Sequence, residues 1–223
     1  MINLTSRGCG TLKVRLIGDV HGKFKSYEKL IKDVPVSLQL GDMGVGFKGL
    51  RGGEIVNLSN PPYDSISKGN HRFIRGNHDN PEVCKKQDYW IPDGSCFKGM
   101  FCLGGAVSID KAWRTEGLDW WPDEEASYEE LQDYIDKYEL IKPDIVCTHD
   151  CPESIAGELM MVFNRTKIDD GSRTRQALER MLYIHQPKEW YFGHWHTSIQ
   201  FKSGNTIFQC LNELEYKDIE IND

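Results

Sequence analysis

Short runs of β-branched, aromatic and leucine residues recur along this chain, and each closes on a glycine followed by polar side chains. LKVRLIGDVHG (12–22) predicts a strand running into a loop, and VSLQLGDMG (36–44) and RFIRGNHD (72–79) repeat the pattern. FKGMFCLGGAVSI (97–109) reads as one buried strand closing on paired glycines, DIVCTHD (144–150) as a strand ending in Thr-His-Asp, and EWYFGHWH (189–196) as a strand ending in Gly-His-Trp-His. Between them the period changes. Phe24, Tyr27, Leu30 and Ile31 fall at helical spacing before Pro35, and TRQALERMLYIH (174–185) predicts another helix. SYEELQDYIDKYEL predicts a helix opened by a capping box between Ser127 and Glu130. Residues 45–70 are glycine-rich with two adjacent prolines and predict a long loop, 151–173 an irregular polar connection, and TSIQFKSGNTIFQCLN a hairpin turned at Ser203-Gly204-Asn205.

Strands interleaved with helices imply an α/β sandwich of mixed sheets with helices on the outer faces. No linker divides the 223 residues, which predicts a single domain over 1–223. Charge narrows the function. A formal net charge of -7 argues against a general nucleic-acid or anionic-membrane binder, because phosphate backbones are held by clustered basic faces. MINLTSRGCGTLK carries no apolar signal core and no stretch approaches a membrane span, so the expected location is the cytoplasm. Seven scattered cysteines without a CxxC pair suit reduced thiols.

The chemistry lies where the strands end. Five apolar strands terminate in GDVH, GDM, GNHD, THD and GHWH, and ligands of open α/β sheets collect beyond the carboxyl ends of strands. Asp19, His21, Asp42, Asn77, His78, His149, His194 and His196 are therefore expected on one edge. A fold does not need imidazoles and carboxylates after each central strand, and burying them unpaired costs stability. A metal cluster does need them. Oxygen and imidazole donors without thiolate suit manganese, iron, zinc, nickel or cobalt, and a shared carboxylate can hold two cations about 3.5–4 Å apart.

In this order the motifs D-x-H, G-D, G-N-H-D, H and G-H-x-H resemble those of the calcineurin-like metallophosphoesterases, a family with bacterial and phage members, from about residue 13 to about 212. The resemblance implies a four-layer α/β/β/α sandwich of mixed β-sheets flanked by helices. It also implies two divalent cations, manganese first among the candidates: Asp19, His21 and His196 on one, Asn77, His149 and His194 on the other, and Asp42 bridging. His78 would then be no ligand but the group that meets the scissile ester, with Asp79 orienting it and raising its pKa. The implied reaction is hydrolysis of a phosphate monoester or diester by a metal-bridging hydroxide, with His78 assisting the leaving group. A small or nucleotide-like phosphate ester is the expected substrate.

Asp79 also stands where a helix N-cap before Pro81 would. Arg114 lies in GGAVSIDKAWRTEGLDWWPDEE (104–125), a candidate wall of the site, and its guanidinium suits phosphate, although acids nearby offer it salt bridges. Lys48, Arg51, Arg75, Arg165, Arg173 and Arg175 are further candidates to hold substrate, with Arg75 also readable as a packing residue. Trp113, Trp120 and Trp121 fit either base stacking or core, and His71 and His185 are read as structural. One stretch departs from the family's protein phosphatases: GDMGVGFKG replaces their G-D-x-x-D-R-G and lacks its phosphate-binding arginine. A Ser/Thr or Tyr phosphoprotein phosphatase is thus the alternative reading, and a non-catalytic module on the same fold the next.

Overall fold

The computed structural model describes residues 10–164 and 170–222. Arg165 and Cys9 lie outside them. Strand β1 (Thr11–Ile17), helix α1 (Phe24–Ile31), β2 (Val36–Leu40) and β5 (Asn70–Ile74) build the first half, with a small hairpin of β3 (Lys48–Arg51) and β4 (Glu54–Asn57) and a turn of helix α2 (Tyr63–Ile66) between β2 and β5. A further turn, α3 (Pro81–Cys84), follows β5. The second half contains β6 (Ser95–Phe97), β7 (Met100–Leu103), α4 (Tyr128–Ile141), β8 (Ile145–Thr148), α5 (Glu153–Val162), α6 (Arg173–Ile184) and β9 (Glu189–Phe192). It closes with β10 (Ile199–Ser203), β11 (Thr206–Cys210) and β12 (Tyr216–Asn222).

Two mixed sheets result, one ordered β12-β1-β2-β5 and the other β10-β11-β9-β8-β7-β6. Side-chain alternation within the strands explains how they stack. In β7, Met100 and Cys102 enter the apolar layer between the sheets, while Phe101 and Leu103 enter the layer beneath the helices. In β9, Tyr191 faces the first layer and Trp190 and Phe192 the second. Such strands are buried on both faces, so they read as unbroken apolar runs. Ile135 and Tyr138 of α4, Leu159 of α5 and Leu178 of α6 pack on the second sheet, and Tyr27 and Ile31 of α1 pack with Ile17 and Phe73 of the first. Helices, sheet, sheet and helix form the expected four layers.

Several local expectations need correction. Residues 45–70 hold the β3–β4 hairpin and α2 rather than a featureless loop, and 97–109 is split by a tight turn at Lys98-Gly99 into antiparallel β6 and β7. The connection after β8 contains α5, a helix of 10 residues. The C-terminal segment adds β12, antiparallel to β1, where Arg15 pairs with Asp218 at 2.7 Å. The capping box of α4 and the 203–205 turn form as expected. His71 meets Ser37 at 2.9 Å and His185 meets the Pro143 carbonyl at 3.1 Å, which suits their structural reading. The described cysteines are free thiols, and among the described residues no helix is long and apolar enough to cross a membrane.

Candidate metal centre

In the first sheet β1, β2 and β5 run parallel, as do β7, β8, β9 and β11 in the second, so their carboxyl ends share an edge. Asp19 and His21 follow β1, Asp42 follows β2, Asn77 and His78 follow β5, His149 follows β8, and His194 and His196 follow β9. The structure brings all eight together. Asp19, His21 and His196 offer donor atoms within 4.8 Å of one another, and so do Asp42, His149 and His194. Asp42 also groups with His21 and His78, so its carboxylate stands between the clusters. Its Oδ1 lies 3.4 Å from His149 Nε2 and its Oδ2 lies 3.8 Å from His21 Nε2.

Close approach of the loops requires the glycines that precede these side chains. A Cβ on Gly76 would collide with the Asp42 carboxylate, and one on Gly193 with that of Asp19. The backbone itself is bent to aim the donors. His21, Asp42, His194 and His196 have φ of 47°, 56°, 63° and 46°, a left-handed region that costs non-glycine residues about 1–3 kcal/mol each and clusters at active sites, although Lys98, Lys142, Asn164 and Leu214 also adopt it away from the strand-end motifs.

A divalent cation fits this donor set. Asp19 Oδ2 is buried and accepts no hydrogen bond, although His196 Nε2 lies 3.0 Å away, and His21 Nε2 sits 2.9 Å from His196 Nε2. A buried carboxylate oxygen without a hydrogen bond, beside two imidazole nitrogens that converge on one another, is what a set of ligands to one ion looks like. Burial disfavours ionisation of Asp19, yet His196 and His21 hold its carboxyl down to about 2, and Asp42 is likewise held well below the usual carboxylate range against burial by His149 and His78. The ion-pair partners of these two acids among the described residues are all histidines. Buried negative charge matched by rings that are better ligands when neutral favours a metal.

Outer contacts orient the candidate donor atoms. His149 Nδ1 donates to the Leu40 carbonyl at 2.8 Å, which leaves its Nε2 lone pair for the cluster. Asn77 Nδ2 donates to Ser108 Oγ at 3.0 Å, so its Oδ1 turns inward, 3.1 Å from His149 Nε2. Ser108 is itself held by Glu124, through its amide at 2.9 Å and its hydroxyl at 2.5 Å. Neither Ser108 nor Glu124 was singled out from sequence, although both lie in the 104–125 segment expected to wall the site. Asp150, the last residue of DIVCTHD, was also overlooked; it accepts from Trp195 Nε1 at 2.9 Å and so anchors the loop that carries His194 and His196. Glu124→Gln is expected to weaken metal binding roughly 10–100-fold, measured by metal titration; unchanged affinity would remove Glu124 from the positioning chain.

His78 and Asp79 sit differently from the expectation. Asp79 accepts backbone N–H bonds from Met43, Gly44, Val45 and Gly76 at 2.7–3.1 Å, and no described hydrogen bond links it to His78. It ties the loop after β2 to the loop after β5 instead of orienting the ring. Nor is it the helix cap, since Asn80 accepts from Glu82 and Val83 at the start of α3. Burial and neighbouring Asp42 push the Asp79 carboxyl up to about 6, against amides that favour the ionised form. His78 stacks on Phe47 and places Nε2 3.1 Å from Arg114 Nη2, while its backbone N–H donates to Asp42 Oδ1 at 2.7 Å. Burial, opposed by Asp42 and reinforced by Arg114, lowers the His78 pKa to about 4, the reverse of the expected rise.

Among the described basic candidates, Arg114 alone has a hydrogen-bond contact with His78. Asp110 fixes its guanidinium with two bonds of 2.7 Å, so the salt bridge and the site position coexist. Arg75 is buried against Asp93 and the Glu124 carbonyl, and Arg173 lies beside Glu125; both border a separate hollow. Lys48 and Arg51 are exposed on β3. Arg175 is paired with Glu153, Asp150 and Asp170. Trp121 is buried, whereas Trp113 is 90% exposed.

The profile of the calcineurin-like phosphoesterases matches residues 12–198, most of the chain and all of the strand-end motifs. The chain belongs to that family. It is accordingly a phosphoesterase, a hydrolase of phosphate esters, of a family that uses divalent metals. No curated protein matches it significantly. Among solved structures, one chain is 12% identical with a TM-score of 0.51, over 96% of this phosphoesterase and 99% of that chain. A protein of Streptococcus pneumoniae described as a predicted phosphoesterase is 15% identical over 96% and 85% of the two chains, with a TM-score of 0.42. A putative 5'-nucleotidase of Staphylococcus aureus is 13% identical with a TM-score of 0.49; the match covers 95% of this phosphoesterase and 51% of the nucleotidase. At these identities the first comparison speaks for the fold alone.

Proposed function

We propose that this phosphoesterase acts as a single domain through a dinuclear centre, with Asp19, His21 and His196 on one cation, Asn77, His149 and His194 on the other, and Asp42 shared. The observation that carries the reading is the placement of the Asp42 carboxylate, whose two oxygens face His149 and His21 of the two clusters. When bound, two divalent cations, manganese foremost, supply Lewis-acid neutralisation of phosphoryl oxygens and lower the pKa of water there. Arg114, held rigid by Asp110, binds a phosphoryl oxygen beside His78. Nε2 of His78 faces the departing oxygen and carries the proton to it. An entering phosphate places negative charge next to that ring, which favours its protonated form over the neutral one preferred without substrate. Asp79 acts indirectly, by holding the loops that carry Asp42 and His78 in register. The free thiols fit a reducing compartment, and we place the protein in the cytoplasm.

The test is hydrolysis of p-nitrophenyl phosphate and bis(p-nitrophenyl) phosphate after reconstitution with manganese, with a chelated control. Metal-dependent turnover of one or both esters is expected, and their ratio separates monoesterase from diesterase action. Absence of turnover with every divalent metal tried would overturn the reading.

A further inference from the structure

A cavity of about 440 Å³ that takes in Asp42, Asn77, His78, His194 and His196 continues along one face of α5. Glu153, Ala156, Gly157 and Met160 line it at helical spacing, whereas Ile155 and Leu159 of the same helix face the core. Ile109, 69% exposed, and Trp195 complete the wall. The charged groups here are engaged with one another: Arg175 with Glu153 at 2.9 Å and with Asp170, and Arg114 with Asp110 at 2.7 Å. Among the described residues, what remains open to a ligand is a mainly apolar trough beginning at His78 and His194. Clefts of this size, mostly apolar with convergent polar groups at one end, are typical of small-molecule sites.

We infer that this trough receives the leaving group of the ester and selects an uncharged, ring-bearing one, making aryl-type phosphate esters the preferred substrate class. The inference rests on the phosphoesterase reading above and adds the identity of the leaving group. The Met160 thioether and the Trp195 indole are favourable neighbours for an aromatic ring, and the Asp150 bond fixes the indole in place. A second phosphate on the leaving group would meet Glu153 and Asp170, whose carboxylates already occupy Arg175. Nucleoside polyphosphates are therefore disfavoured. A free aryl ester and the phosphotyrosine of a peptide share the favoured chemistry.

Gly157 provides the probe. Among the described residues, no heavy atom lies within 4 Å of a Cβ built there, and leucine is a better helix former than glycine, so Gly157→Leu fills the trough without disturbing α5. The manganese-loaded wild type and the Gly157→Leu variant are compared on phenyl phosphate, 1-naphthyl phosphate, a phosphotyrosine peptide and a nucleoside diphosphate. The expected result is that the ratio of kcat/KM for 1-naphthyl over phenyl phosphate falls at least about tenfold in the variant, with the diphosphate the poorest substrate of the wild type. A parallel fall for the peptide identifies the tyrosine ring as an occupant; a fall confined to naphthyl identifies free aryl esters. Binding of 1-naphthylmethylphosphonate and of inorganic phosphate, followed by calorimetry, gives a readout independent of turnover, and the variant is expected to lose affinity for the phosphonate alone. Identical ratios and identical phosphonate affinities in the two proteins would overturn the inference. A wild type that turns over nothing, yet binds the phosphonate in a Gly157-dependent way, would overturn the hydrolytic reading and leave the trough assigned.

Discussion

Asp42→Asn is expected to abolish the metal centre and the activity together. Asp42 is 1% exposed, sits between the two donor clusters and also accepts the His78 amide at 2.7 Å. Losing a carboxylate that faces both clusters should weaken metal binding by more than the roughly 100-fold upper range seen for partners outside the ligand set, and turnover should fall to background with the metal. Asparagine is the informative replacement. It keeps the size of the side chain and tolerates the left-handed backbone at this position, φ 56°, where alanine would add strain. The metal-free variant should remain folded, because asparagine keeps the oxygen that accepts the His78 amide and the histidines around it can shed their protons. Loss of metal with preserved thermal unfolding is the expected pair of results; full metal occupancy in Asp42→Asn would refute its bridging role.

His78→Asn should produce the second large effect, with the opposite metal signature. The His78 ring groups with Asp42 and His21, yet it stacks on Phe47 and its Nε2 meets the Arg114 guanidinium at 3.1 Å, a cationic neighbour that suits a group outside the ligand set. Both cations should therefore stay bound while turnover falls by about 10²–10⁴. The size of the loss should depend on the leaving group. An ester with a good leaving group, such as p-nitrophenyl phosphate, needs little proton assistance and should lose less than an alkyl ester. Steady-state kinetics on both esters, with metal content measured on the same samples, checks this. Equal losses on the two esters, or departure of metal, would make His78 a ligand or a packing residue.

Legibility of this site in the sequence followed from physics that is local. The strands that lead into the site are buried on both faces toward their carboxyl ends, so the apolar run is continuous and its end is marked by the glycine that lets a polar side chain approach, as at Gly76 and Gly193. Where two packing demands overlap, the pattern blurs. Helix α5 turns Ile155 and Leu159 to the core and Ala156, Gly157 and Met160 to the cavity, so no single apolar stripe announces it. The β3–β4 hairpin leaves Leu50 and Ile55 largely exposed and thus has no buried face to impose a period. Strand β12 did carry a signal, the alternation of Ile219 and Ile221 with charged neighbours, but its partner β1 lies at the other end of the chain.

The division of roles within the site was harder to read than its membership. Asp79 follows His78 directly, yet adjacency in sequence does not put two side chains together, and its carboxylate serves backbone amides across the loop. The same distance effect hid the Asn77–Ser108–Glu124 chain, whose members lie far apart in sequence and meet only in the fold. Arg114 needed both levels: sequence nominated it for its charge, and its contact with His78 separates it from Arg75 and Arg173, which turn to another hollow.

The most direct test of the dinuclear account is the stoichiometry of manganese binding, measured by equilibrium dialysis of the metal-stripped protein. The account predicts two ions bound per chain by the wild type. One ion or none at saturation would contradict it.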